Sequence, residues 1–94
     1  NFVSAENLRL LLTTVASADD ARRLASALLE RRLAACVNIL PAVESHYRWQ
    51  GNVESATELL LLCKTTVAHE AALAAAIREL HPYEVPEILS LQPH

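Results

Sequence analysis

The sequence is poor in the cysteines and glycines that build disulfide frameworks and flexible linkers, and it lacks the long apolar runs that build membrane spans. It has two cysteines and one glycine in 94 residues, and none of its apolar runs approaches the length that a bilayer requires. Such cysteine usage indicates a reducing compartment, so we expect a cytosolic protein. Because the apolar runs are short, we expect no contact with a membrane. With eight basic and eleven acidic residues, the chain also lacks the basic stripe of nucleic-acid-binding proteins, and we expect no nucleic-acid partner.

Catalytic motifs are also missing from the sequence. It contains no Ser-His-Asp order, no phosphate-binding glycine loop and no paired-carboxylate motif, and we therefore predict that the protein is not an enzyme. A nucleophile pair of Cys36 and His81 is not excluded by the sequence, but no residue is placed to orient that histidine.

Apolar residues, by contrast, are abundant. They make up 52% of a chain whose length suits one domain, residues 1–94. A domain near this size buries only about two-thirds of its unfolded surface. The mean hydropathy of this chain, +0.19, is high for a domain of that size, and it predicts apolar surface that other chains cover. We expect an oligomer.

Hydrophobic periodicity predicts alternating strands and helices at both ends of the chain. Leu8–Val15 has the length of a buried strand, and Ser17 begins an amphipathic helix in a sequence typical of a capping box. Thr66 is predicted to cap a second helix, which ends before Pro82 because proline disfavours the helical conformation of the preceding residue. Residues 85–91 are predicted to form the last strand.

The middle of the chain is predicted to form a long hairpin. From Cys36 to Trp49 apolar and polar residues alternate, Pro41 marks a bulge, and Gly51 lies where a turn needs a positive φ. Residues 53–66 return as the second strand. The first strand alone would span roughly 45 Å at about 3.3 Å per residue. The hairpin must therefore project beyond its own core, where it needs a neighbouring chain.

The order β-α-β-β-α-β predicts the fold class. Right-handed crossovers convert that order into an α+β, ferredoxin-like sandwich: a four-stranded antiparallel sheet with two helices on one face.

Three segments resemble the CutA divalent-cation tolerance proteins in order and spacing: RLAACVNILPAVESHYRWQGNV (32–53), ELLLLCKTT (58–66) and HPYEVPEIL (81–89). The resemblance implies a homotrimer related in architecture to the PII signalling proteins, in which long hairpins embrace neighbouring subunits. It also implies a link to copper and other divalent metal ions. Family members usually continue past the last strand, so we expect the C-terminal tail of the family to be absent here.

The side chains available to bind a transition metal are those of a few histidines and cysteines. None of them shows the close spacing of a dedicated site, such as CxxC or HxxxH. His81 is favoured because the following proline holds the chain in place, and Cys36 is the second candidate. His46 and His69 are expected to lie at the surface, and Cys63 is expected to be a core residue.

The family resemblance implies a copper site built from a thiol and histidines, of which this chain retains one member. The matching positions are Thr13, Leu80 and His81, so only His81 carries over. If copper or another divalent cation binds, we therefore expect modest affinity; otherwise we expect no cofactor. His81 would be assisted by Cys36 or by groups from a neighbouring subunit.

A second set of polar residues is predicted to meet at a subunit boundary: Glu58, Lys64, Tyr83, Glu84 and Glu87. Glu58 and Lys64 lie at an even offset on one strand and therefore face the same side. Two interpretations stay open, a polar network that fixes register at the boundary and a pocket for a small ligand or ion. At the hairpin end, Tyr47 and Trp49 are predicted to lie in the trimer interface.

Three functions are consistent with these features. The first is a metal-binding or metal-responsive cytosolic trimer in copper tolerance. The second is a PII-like effector protein that senses a small molecule between subunits. The third is a stable trimeric scaffold for protein partners.

Overall fold

An antiparallel sheet with two helices makes up the part of the chain that the computed structural model describes, residues 6–93. Residues 1–5 and 94, which the predicted domain includes, lie outside the described residues. The strands have the order β2-β3-β1-β4. The predicted α+β class and ferredoxin-like arrangement are confirmed. The elements are β1 (Leu8–Val15), α1 (Ala18–Glu30), β2 (Cys36–Trp49), β3 (Asn52–Thr66), α2 (Glu70–Leu80) and β4 (Leu89–Leu91).

The core lies between the helices and one side of the sheet. Along β1, buried and partly buried residues alternate, because successive side chains of a strand point to opposite sides. The fully buried side chains come from both layers: Leu11, Val15, Leu61 and Cys63 from the sheet, and Leu28, Leu73 and Ile77 from the helices. Neither helix of the described chain has the length and apolar character needed to cross a membrane.

The two helices begin in different ways. Ser17 has an extended backbone, and its hydroxyl accepts a hydrogen bond of 3.1 Å from the N–H of Asp20, which confirms the predicted cap of α1. The predicted cap of the second helix is wrong. The hydroxyl of Thr66 bonds the ring of His69 at 3.0 Å instead of a backbone N–H, and a 3₁₀ turn over Val67–His69 precedes α2.

The hairpin of β2 and β3 projects beyond the end of β1, as predicted. β2 pairs with β3 from Cys36 to Trp49, interrupted only at residues 41–42, whereas β1 pairs with β3 only over residues 59–66. At the far end Gln50 and Gly51 join the strands with φ values of 49° and 82°. Two consecutive residues with positive φ form the turn whose twist matches that of the flanking strands.

A bulge near Pro41 changes which side of the sheet the β2 side chains face. Leu40 pairs with Leu60 but Val43 pairs with Glu58, so β2 contains one extra residue at this point. One extra residue reverses the alternation. Odd-numbered residues before the bulge therefore face the helices, and those after it face away from them. The sequence prediction of one uninterrupted alternation to Trp49 needs this correction.

The side of the sheet that faces away from the helices is apolar, and no described element covers it. Cross-strand pairing places leucines of β1, β3 and β4 together on this side, for example Leu12, Leu62 and Leu89. We call this side the open face. It carries large hydrophobic residues that are 42–53% exposed: Leu40, Tyr47, Trp49, Leu89 and Leu91.

The last strand is shorter than the sequence predicts. Only Leu89–Leu91 pairs with β1, so the predicted strand over 85–91 is wrong for its first half. Pro86 has no N–H to donate to a ladder. The carbonyl of Glu87 accepts a hydrogen bond of 2.8 Å from the hydroxyl of Thr13 instead of a strand N–H.

Candidate functional site

A cleft opens where β1 ends and the hairpin continues alone. The last residue of β1, Val15, pairs with Leu59, so Glu58 is the first residue of β3 without a partner from β1. The segment after α2 approaches this position through Tyr83. The resulting cleft has a volume of about 650 Å³ and is lined by residues from the hairpin, the end of β1 and that segment, among them Thr14, Ser45, Tyr47, Trp49, Glu58, Tyr83 and Glu87.

Glu58 lies in this cleft as a nearly buried carboxylate, in a residue that is 8% exposed. The hydroxyl of Tyr83 donates a hydrogen bond of 2.6 Å to it. Burial acts to raise the pKa of Glu58, but hydrogen bonds with Tyr83, Ser45 and Thr14 outweigh it, and the pKa lies below its ordinary value of 4.5. Burial and this carboxylate together raise the pKa of Tyr83 to about 12. Glu58 is therefore ionised at neutral pH.

His81 fixes the position of the segment after α2 by hydrogen bonds to β1 and to Tyr83. Its Nε2 lies 2.8 Å from the carbonyl of Thr14, and its Nδ1 lies 3.0 Å from the backbone N–H of Tyr83. A carbonyl can only accept and an N–H can only donate, so His81 is neutral with its proton on Nε2. Burial lowers the pKa of His81 from 6.5, against the opposing effects of the Thr14 carbonyl and the Glu58 charge.

The structure does not bring the two predicted metal ligands together within one chain. Both ring nitrogens of His81 are engaged in hydrogen bonds. Cys36 pairs with Lys64 of β3, whereas Thr14, whose carbonyl bonds His81, pairs with Leu60. Lys64 and Leu60 are four residues apart, which is about 13 Å at about 3.3 Å per residue. Among residues 6–93 no group of three or more His, Cys, Asp or Glu side chains is arranged to hold a metal ion.

The other two histidines of the described residues, His46 and His69, and Cys63 lie where the sequence predicts. His46 is exposed, with its Nε2 2.7 Å from the carboxylate of Glu44, and His69 is exposed at the start of α2. Cys63 is fully buried in the core, and burial raises the pKa of its thiol to about 12. Such a thiol is a poor nucleophile and a poor metal ligand.

The predicted polar set is only partly assembled. Glu58, Tyr83 and Glu87 all line the cleft. Lys64 faces the same side as Glu58 but lies about 20 Å along β3 at about 3.3 Å per residue. Glu84 is exposed and does not line the cleft.

Sequence reasoning missed two hydroxyl residues at the centre of the cleft. Ser45 meets Glu58 because the bulge turns it to that side, and Thr14 meets Glu58 because it lies at the end of β1 on the open face. The signal for Ser45 was the bulge at Pro41, which shifts the pairing of every later β2 residue with β3 by one position and so turns Ser45 to the side of Glu58.

Comparison with known families decides where the chain belongs. Residues 9–94 match the family described as CutA1 divalent ion tolerance protein. The chain belongs to this family. The match spans the sheet from the second residue of β1 onward, both helices and every residue that lines the cleft.

Individual relatives support this membership. The chain is 54% identical over 82 residues to the divalent-cation tolerance protein CutA of Thermus thermophilus, covering 87% of this chain and 80% of that protein. It is 48% identical over 71 residues to a CutA homolog of Xenopus laevis, covering 76% of this chain and 47% of that protein. Neither relative carries the name of an enzyme.

A solved structure of the family has the same fold. CutA from Synechococcus elongatus, determined in complex with a Bis-Tris molecule, superimposes with a TM-score of 0.86 at 44% identity. The alignment covers 97% of this chain and 84% of that one.

Proposed function

We propose that the protein acts in cellular tolerance of divalent metal ions, as a homotrimer and without catalysing a reaction. The observation that carries this proposal is the family match over residues 9–94. It is supported by the relative from Thermus thermophilus, which is named for divalent-cation tolerance.

The trimer is supported by the open face and the hairpin. Large hydrophobic residues such as Leu40, Leu89 and Leu91 are about half exposed on one side of the sheet, where burial against a second chain stabilises an assembly. Tyr47 and Trp49 continue that side along the projecting hairpin. Apart from the segment after α2, which reaches Glu58, no element of the described chain packs beside the projecting hairpin, and a neighbouring subunit would supply the missing contacts.

Copper is the ion that the resemblance implies, and in this proposal a single chain binds it with low affinity. His81 must exchange one of its two hydrogen bonds for the metal, and Cys36 is not within reach of the same ion. A tighter site needs ligands from a second chain, so metal binding depends on assembly. Both cysteines are free thiols, which suits a reducing compartment such as the cytosol.

Deletion of the gene in its host tests the proposed role. We expect the deletion strain to grow more slowly than the parent strain at raised copper or zinc concentrations. The wild-type gene should restore growth, and a Trp49→Ala variant with weakened assembly should restore it less well. Equal growth of the deletion and parent strains at every metal concentration would contradict the proposal.

A second candidate, a small-molecule effector protein, is favoured by the cleft around Glu58. Its volume of about 650 Å³ falls in the range of small-molecule sites, roughly 300–1,000 Å³. The relative solved with Bis-Tris, a hydroxylated amine, supports the proposal that members of this family accept small polar molecules.

A further inference from the structure

The Glu58 carboxylate forms no ion pair with a lysine or arginine of the described chain. The ion pairs among residues 6–93 involve Glu44, Glu70, Glu79 and two aspartates of α1, and none involves Glu58. Its hydrogen bonds come from neutral hydroxyls, those of Tyr83, Ser45 and Thr14. His81 also interacts electrostatically with Glu58, but its two ring hydrogen bonds are those of a neutral imidazole. A nearly buried carboxylate without a lysine or arginine beside it attracts a cation strongly, because little water screens it.

Aromatic rings stand beside this charge. Tyr47 and Trp49 follow Ser45 at alternate positions of β2, so all three face the same side as Glu58. Tyr83 approaches from the segment after α2. The faces of tyrosine and tryptophan rings attract cations, most strongly where water is partly excluded.

The other charges that line the cleft leave it negative on the side of Glu58. Glu87 adds a second carboxylate to the lining. His46 and Arg48 also line the cleft, but they alternate with Ser45, Tyr47 and Trp49, so their side chains start from the other side of the hairpin.

The size of the cleft and its chemistry point to an organic cation and not to a metal ion. A volume of about 650 Å³ is far larger than a bare metal ion needs. His46, Glu58 and Glu87 line the cleft, but no three His, Cys, Asp or Glu side chains of the described residues are arranged to hold a metal ion. We propose that the Glu58 cleft binds a small organic ammonium ion, with its charge against Glu58 and its alkyl groups against Tyr47 and Trp49. This proposal rests on the second candidate function, the small-molecule effector.

The test uses choline and its neutral isostere 3,3-dimethylbutan-1-ol, which have the same shape and differ in charge. Trp49 is the only tryptophan of the chain and lines the cleft, so its fluorescence reports binding directly. The full-length protein is titrated with each compound at constant ionic strength, and calorimetry confirms the affinity. We expect choline to give a saturable change and the neutral isostere to bind about tenfold more weakly or not at all.

Two glutamate variants separate the cleft from general surface charge. Glu58→Gln keeps an oxygen that accepts the Tyr83 hydrogen bond but removes the charge, and it should weaken choline binding about tenfold. Glu30→Gln removes an equal charge from an exposed position at the end of α1, on the other side of the sheet, and choline binding should not change. Equal losses in the two variants would overturn the proposal.

The comparison of the two probes on the wild-type protein does not depend on any variant folding. Equal binding of choline and its isostere, or no response to choline, would overturn the proposal. If a lysine or arginine of a second copy neutralises Glu58, choline will not bind, and Glu58→Gln will weaken assembly in sedimentation; that outcome also overturns it. Each of these results leaves metal tolerance untouched, because the growth test reports on that role separately.

Discussion

Replacing Tyr83 with phenylalanine removes a single hydrogen bond from the cleft and leaves the ring in place. The Tyr83 hydroxyl lies 2.6 Å from the Glu58 carboxylate. Hydrogen bonds to charged groups contribute roughly 1.5–3 kcal/mol to stability. Glu58 keeps its bonds with Ser45 and Thr14, and as an 8% exposed residue it retains slight access to water. We therefore expect Tyr83→Phe to lower the free energy of unfolding by about 1–2 kcal/mol at about pH 7.

The pH dependence of this loss identifies the carboxylate as the acceptor. The folded-state pKa of Glu58 lies below its ordinary value of 4.5, because the hydrogen bonds outweigh the effect of burial. The stabilisation is therefore complete above that ordinary value and disappears as the pH falls through the folded-state value. The loss caused by Tyr83→Phe should be largest at about pH 7 and should shrink towards about pH 3.

Chemical denaturation of both proteins at the same protein concentration measures the loss, since the stability of an oligomer depends on concentration. Tyr47→Phe is the matched control: it removes a hydroxyl from a residue that is 45% exposed and should change stability by less than about 0.5 kcal/mol. A Tyr83→Phe loss no larger than that of the control, or one of equal size at both pH values, would refute the reasoning.

Three further predictions concern assembly, metal binding and the core. Trp49→Ala should weaken the trimer more than it disturbs the isolated fold, because a large exposed ring on the hairpin contributes strongly to an interface; unchanged trimer stability in sedimentation would contradict this. Copper titration should give low affinity, lower still for His81→Ala, and the affinity of the wild type should fall as the pH drops through the lowered pKa of His81, because a protonated imidazole cannot bind metal; equal affinity in the two proteins would remove His81 from the site. Arg9→Met should cost about 1–3 kcal/mol, because this 9% exposed residue donates to two backbone carbonyls and approaches Glu70 at 3.5 Å, whereas the exposed Arg22→Met should be nearly neutral; similar losses in denaturation of the two variants would show that the Arg9 contacts do not stabilise the fold.

The elements that depend on local signals could be predicted from the sequence. Leu8–Val15 is a continuous apolar strand, and Ser17 caps α1 with its own hydroxyl, so neither needs information from distant residues. The proline bulge and the glycine turn of the hairpin are also local, and both lie where the sequence places them.

The features that depend on distant partners could not be predicted. Thr13 hydrogen-bonds the carbonyl of Glu87 across 74 positions of the chain, and this contact replaces the first half of the predicted last strand. The bulge is visible in the sequence, but its size is not, and the size decides which side Ser45 faces. His81 shows the same limit, since both of its hydrogen-bond partners follow from tertiary packing.

Native mass spectrometry of the purified protein, with and without Cu(II), tests the central claim most directly, because it reports subunit number and metal stoichiometry together. We predict a single species of three times the 10.3 kDa chain mass, with an unchanged subunit number after copper is added and little copper retained. A stable monomer at micromolar concentration, or a monomer that retains stoichiometric copper, would contradict a trimeric protein whose single chains bind copper only weakly.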